Sequence, residues 1–187
     1  LNTGPVPRGE LFASMPRSAT IRLQLALASW FMWQDDRPHV AAILDVMQAF
    51  PHDVLDEGDE VIIMLPGEGA GLTVRTPHGE VALSSKDAYQ LYRALYGYRK
   101  SPVLWQQFFV DTVADLGIQR CRVEPSLFVN AKKTVFMIVH VDDLLLVGDK
   151  VDVQATFAAI QTKIKLRTVA VLEQPGDKGE FLRRPFE

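Results

Sequence analysis

The sequence predicts an α+β fold, and three observations carry that prediction. Apolar residues recur at helical spacing over 19–34, 101–117 and 151–164. Short continuous apolar runs bounded by polar residues, HVAAILDV (39–46), VFMIVHV (135–141) and LLLVG (144–148), read as buried strands. The two kinds of segment interleave without the regular βαβ rhythm of a doubly wound sheet. At 187 residues the chain can bury a sizeable core as about one domain, or one and a fraction.

Taken in order, residues 1–18 are rich in Pro, Gly and Arg and are expected to be irregular. From Ala19 to Gln34, Ile21, Leu25, Ala28 and Met32 mark one helical face. QDDRP ends that helix, and Asp35-Asp36 beside Pro38 reads as a solvated turn. HVAAILDV follows as a strand ending at Asp45. The turn-rich 48–60 leads to a short strand, VIIML (61–65), which PGEG breaks. Gly67, Gly69, Gly71 and Gly79, with the short runs LTV and EVAL, suggest a hairpin-like insertion over 67–85.

DAYQLYRALYG (87–97) reads as a helix, with Tyr89, Tyr92 and Leu95 spaced by three. The helix over 101–117 has Ser101 as N-cap candidate, Pro102 at its first position and Gly117 as its stop. Trp105 and Phe109, one turn apart, read as core. SLFVNAKKTVFMIVHV (126–141) reads as two strands around the turn NAKK. VDVQATFAAIQTKI (151–164) is amphipathic, with Val153, Phe157, Ile160 and Ile164 on one face. The expected organisation is one body over 19–170 between irregular segments 1–18 and 171–187.

Composition narrows the class. Hydrophobic content of 48% and charged content of 23% suit a globular protein rather than a disordered one. No apolar run reaches the ~18–20 residues that span a bilayer, and LNTGPVPRGE lacks a basic region followed by an apolar one. An intracellular placement without membrane partner is therefore expected. Cys121, the single cysteine, excludes an internal disulfide and fits a reducing compartment. The net charge of −3 is not the footprint of a self-sufficient nucleic-acid binder, which shows a basic excess.

The most informative stretch is VFMIVHVDDLLLVGD (135–149), where Asp142 and Asp143 interrupt an apolar run. Burying an unpaired charge costs on the order of several kcal/mol, so such groups are paired or bind metal. Asp45 ends another buried strand. Three carboxylates brought together repel one another unless divalent cations neutralise them, and Mg²⁺ prefers oxygen ligands. Two such ions form the clamp used in phosphoryl and nucleotidyl transfer. The plain alternative is a solvated Asp-Asp turn.

LDVMQAF (44–50), LYRALYGYRKSPVLW (91–105) and HVDDLLLVGD (140–149) occur in this order. Together they resemble motifs A, B and C of the reverse transcriptase domain of copia-type LTR retrotransposon polyproteins. ELFASMP (10–16), EVIIMLPGEG (60–69), EPSLFVN (124–130) and, weakly, GEFLRR (179–184) extend the likeness over about residues 10–184. The resemblance implies a truncated right-hand polymerase: a palm, an antiparallel sheet backed by helices, with partial fingers. It implies RNA-directed DNA polymerase activity with two Mg²⁺ ions, Mn²⁺ being a substitute. Asp45 and Asp142 match the metal-binding catalytic carboxylates, Asp143 a secondary one, and the Val46 carbonyl a position that completes a metal shell. Phe50 matches the aromatic steric gate that favours dNTP over rNTP. Tyr96, Gly97, Arg99 and Lys100 fall in the nucleotide-binding motif, where Gly97 permits close backbone approach and the cations meet phosphate near a helix N-terminus.

Implied partners are an RNA template, a DNA or tRNA primer, dNTP, and the remaining fingers, thumb, RNase H and integrase regions of a polyprotein. The implied setting is a cytoplasmic virus-like particle or the nucleus. The chain departs from the pattern at His140, where the family has Tyr near the primer end. Met47-Gln48, Pro51-His52 and Val103-Leu104 also differ, and some of these changes subtract basic groups. The isolated fragment is expected to be weakly active or inactive. Two alternatives stand beside the polymerase reading: a catalytically inactive retroelement remnant with a structural or nucleic-acid-binding role, and another two-metal palm enzyme such as a nucleotide cyclase. The latter leaves LYGYRKSP unexplained.

Overall fold

A computed structural model describes residues 15–34, 38–52, 54–55, 58, 60–67, 71–76 and 79–186, with backbone alone for 31–34. Asp35-Asp36, most of ELFASMP and the Met32 side chain lie outside the described residues. The helices are α1 (Ser18–Gln34), α2 (Ser101–Asp115) and α3 (Lys150–Gln161). The strands, in chain order, are β1 (His39–Val46), β2 (Val61–Met64), β3 (Thr73–Thr76), β4 (Gly79–Ala82), β5 (Ala88–Leu91), β6 (Ile118–Arg120), β7 (Leu127–Asn130), β8 (Val135–His140), β9 (Asp143–Asp149), β10 (Leu166–Leu172), β11 (Gly179–Phe181) and β12 (Arg184–Phe186).

The centre is a six-stranded sheet in the order β10-β1-β9-β8-β7-β6, antiparallel at every pairing. Among the described residues there are also three two-stranded pairs, β2-β5, β3-β4 and β11-β12. The mixed α/β class with antiparallel sheets agrees with the α+β expectation. The long apolar runs follow from cover on both faces. Successive strand residues point to opposite sides, so Val40, Ala42, Leu44 and Val46 join Trp105, Phe109 and Val113 of α2 and Val153 and Ile160 of α3. Ala41 and Ile43 join Ile21 and Ala28 of α1, with Leu145, Val147 and Phe181. Each fully buried large side chain contributes roughly 1.5–3 kcal/mol. At Gly148 on β9 an added Cβ would strike the Thr134 carbonyl, so β8 and β9 close only around a glycine there.

Four expectations are corrected. Residues 87–97 are not a helix: Ala88–Leu91 form β5, paired with β2 from Val61↔Leu91 to Met64↔Ala88, and turns follow. Aromatic residues such as Tyr89 suit a strand, and the spacing of three was not a helical face. Ser101 does not cap α2; Lys100 holds that position without a side-chain cap bond, and the Ser101 hydroxyl donates to the Leu95 carbonyl at 2.7 Å. Pro102 consequently falls at the second helical position. The segment 171–186 is not wholly irregular: β10 extends to Leu172 and β11-β12 form a hairpin. Strand β10 had no local signal, because most of its residues are exposed and its partner, β1, lies far earlier in the chain. α3 begins at Lys150 and is capped by Asp149, whose carboxylate accepts from the Val151 and Asp152 amides. Among the described residues no helix is long and apolar enough to cross a membrane.

Candidate active site

The turn between β8 and β9 sets the position of two aspartates. His140 and Asp143 are the last cross-strand pair, leaving Val141 and Asp142 as a two-residue loop. Such loops favour positive φ at their first position, where glycine is usual. Here Val141 takes φ +51°, a left-handed conformation that costs a non-glycine residue roughly 1–2 kcal/mol. Two bonds hold it. The Trp105 indole N–H donates to the Val141 carbonyl at 2.9 Å, and the Val46 amide donates to the Asp142 carbonyl at 2.7 Å. Trp105 is itself only 1% exposed, so α2 braces the turn from the core.

The same registers create a row of charges across three strands. Asp143 of β9 faces Asp45 of β1, and Asp45 faces Arg167 of β10. Like charges directly opposite are unfavourable, and Arg167 meets the pair from its other side, Nη2 to Asp45 Oδ2 at 2.9 Å. Asp142 adds a third carboxylate. The Tyr96 hydroxyl donates to its Oδ2 at 3.3 Å, while its Oδ1 is buried with no hydrogen-bond partner. The Tyr96 ring lies 4.6 Å from that of Phe50, tilted by 52°.

The electrostatics follow from this crowding. Burial pushes the Asp142 carboxyl above the ordinary carboxylate range; the Tyr96 bond opposes this, Asp45 and Asp143 add to it, and His140 opposes it. Burial, then Asp45, raise Asp143, again against His140. The Tyr96 hydroxyl is raised by burial and by the neighbouring Asp142. His140 Nδ1 is buried without a partner.

Of the residues singled out in the sequence, Asp45, Val46, Asp142, Asp143, His140, Tyr96 and Phe50 are linked by cross-strand pairing, hydrogen bonds or ring contact. Gly97 follows Tyr96 with φ +96°, which favours glycine, and open space where a Cβ would stand. Arg99, exposed, and Lys100 lie at the N-terminal end of α2. Phe50 lies within the core, at 8% exposure. Sequence reasoning missed Arg167 as the partner of Asp45, and it missed the bond from Trp105 to the turn. A cation on a strand gives no local sign of the carboxylate it will face.

Among the described residues no three Asp, Glu, His or Cys side chains form a ready-made metal cage. The donors nonetheless suit a hard cation. Asp142 Oδ1 is buried and unpartnered, and both raised carboxyls carry a repulsion that a divalent ion would relieve.

Fold and site together define a mixed α/β protein with a carboxylate-centred site at one end of an antiparallel sheet. The chain belongs to the reverse transcriptase (RNA-dependent DNA polymerase) family, whose sequence model matches residues 8–175. It is also similar to a Saccharomyces cerevisiae protein described as "Putative transposon Ty5-1 protein", 28% identical over 105 residues. That match covers 54% of this chain and 30% of the relative, so the chain spans less than a third of the yeast protein's length.

Proposed function

We propose that this chain is the palm, with partial fingers, of a copia-type retrotransposon polymerase, and that it adds dNMP to a primer 3′-OH on an RNA template. The observation that carries this reading is the register of Asp45 against Asp143, with Asp142 in the adjoining turn, in a chain of the reverse transcriptase family. The carboxylates of Asp45, Asp142 and Asp143 and the Val46 carbonyl would hold two Mg²⁺ ions, with Mn²⁺ as a substitute. When bound, such ions neutralise phosphate charge and make the attacking hydroxyl more acidic. Tyr96 orients Asp142 through its hydroxyl and, with Phe50, forms the aromatic wall beneath the sugar. Arg99 and Lys100 meet phosphate at the positive end of α2. His140, at the end of β8, faces the primer. The remaining fingers, thumb, RNase H and integrase would be supplied by the rest of a polyprotein acting in a cytoplasmic particle or the nucleus.

Primer extension on an RNA template with dNTP and Mg²⁺, by the chain extended on both sides with the proposed polyprotein regions, tests this reading. Extension by the wild type is expected to fall more than about 100-fold in Asp142→Asn. Equal rates would overturn the assigned mechanism. A second reading, an inactive remnant, is favoured by the Arg167 guanidinium already resting on Asp45. Mg²⁺ and Mn²⁺ titration separates the two, because a remnant that has lost its site binds neither ion at millimolar concentration.

A further inference from the structure

Arg167 has no part in the polymerase reading above, yet it touches that site directly. Its guanidinium Nη2 lies 2.9 Å from Asp45 Oδ2, and its strand position is opposite Asp45 in the β1-β10 register. On the other side of Asp45 stands Asp143. The sheet thus presents an Asp143-Asp45-Arg167 row, in which one carboxylate is flanked by a like charge and an opposite one. The strength of the Arg167 contact decides what it can do. Arg167 is 67% exposed at its side chain and Asp45 27%. Pairs this open to solvent contribute about 0.2–1 kcal/mol and weaken with salt. A contact of that size cannot lock the site, but it can tune it.

We propose that Arg167 is a built-in counter-ion that competes with a divalent cation for Asp45 and so raises the cation concentration needed to load the site. The proposal rests on the metal-dependent reading given above. Arg167 and a hard cation would seek the same carboxylate, that of Asp45. Arg167 holds it at little cost, offsets the repulsion from Asp143, and withdraws into solvent when a doubly charged ion takes its place.

Mn²⁺ binding to the full chain, followed by electron paramagnetic resonance of the free ion, tests this without relying on catalysis. Arg167→Gln is expected to bind Mn²⁺ roughly 1.4- to fivefold more tightly than wild type, the range set by losing a pair of this strength. The difference shrinks as KCl rises. Arg167→Lys, which keeps the charge but not the planar fork, falls between the two and serves if the Gln variant melts early. In an Asp45→Asn background Arg167→Gln changes nothing. Unchanged or weaker binding in a well-folded Arg167→Gln chain overturns the proposal, since weaker binding means that Arg167 holds Asp45 in place for the ion. If neither wild type nor variant binds Mn²⁺ at millimolar concentration, the metal-dependent reading itself fails, and the proposal fails with it.

Discussion

The Tyr96 hydroxyl is bonded to one oxygen of Asp142, and the other oxygen of that carboxylate is buried without a partner. Tyr96 therefore biases the rotation of Asp142 and leaves Oδ1 as its unpartnered acceptor. At 3.3 Å the bond is long for O–H···O, and Tyr96 is largely exposed, so Tyr96→Phe should destabilise the chain by at most about 1 kcal/mol. The Phe ring keeps its contact with Phe50. The bond holds Asp142 down against the burial that raises it, so its loss raises the carboxyl further. The acid limb of primer extension is expected to move to higher pH in Tyr96→Phe, with chemical denaturation checking that stability is nearly unchanged.

Asp143 gives a pH prediction of definite sign. Its carboxyl is raised in the folded chain by burial and by Asp45. Between the unfolded value, about 3.9, and the raised folded value, the folded chain holds more protons than the unfolded one. Stability therefore falls as pH rises through that window and stays low above it. Asp143→Asn removes one charge from the opposed pair and is expected to be more stable than wild type at pH 7, by up to about 1 kcal/mol. The gap should close as pH falls toward about 4. Urea denaturation at several pH values, without added divalent ions, measures it; a gap that widens on acidification contradicts the assignment.

The most readable strands of this fold are those buried on both faces. β1, β8 and β9 carry near-continuous apolar runs because α1 covers one side of the sheet and α2 and α3 the other. Asp142 and Asp143 were visible because they interrupt such a run. What could not be read depends on distant partners. β5 was mistaken for a helix, since its pairing with β2 leaves no mark in Tyr89, Tyr92 and Leu95 themselves. Arg167 carried no sign in the sequence, because its role exists only through the β1-β10 register. The left-handed φ of Val141 had no signal either; the bond from Trp105 that helps to hold it joins the turn to α2.

Trp105 joins stability to geometry. Its ring fills the core between α2 and the sheet, and its indole N–H binds the Val141 carbonyl. Trp105→Phe leaves that carbonyl short of a donor and opens space, at a cost of about 2–4 kcal/mol. Phe109→Leu is the matched control, since Phe109 contacts the Trp105 ring and is equally buried but makes no bond to the turn. Both variants should melt earlier. Only Trp105→Phe is expected to lose primer extension per folded molecule, by about tenfold, because a 1 Å shift of the aspartates is costly. Equal extension per folded molecule would reduce Trp105 to a packing residue.

Phe50 separates a core role from a selective one. It is 8% exposed, whereas Tyr96, in ring contact with it, is 58% exposed. The exposed member of the pair is therefore the Tyr96 ring, and Phe50 backs it. Phe50→Val shortens that support and should destabilise the chain by about 1–3 kcal/mol, less than full truncation to Ala. If the pair forms the floor beneath the sugar, the same change lets Tyr96 settle and makes room for a 2′-hydroxyl. The preference for dNTP over rNTP is then expected to drop at least about tenfold, or 1.4 kcal/mol in differential binding. Paired primer extensions with dGTP and GTP measure the ratio. A Phe50→Val chain that is less stable but equally selective would assign Phe50 to the core alone, and selectivity would then have to be sought at Tyr96, the exposed member of the pair.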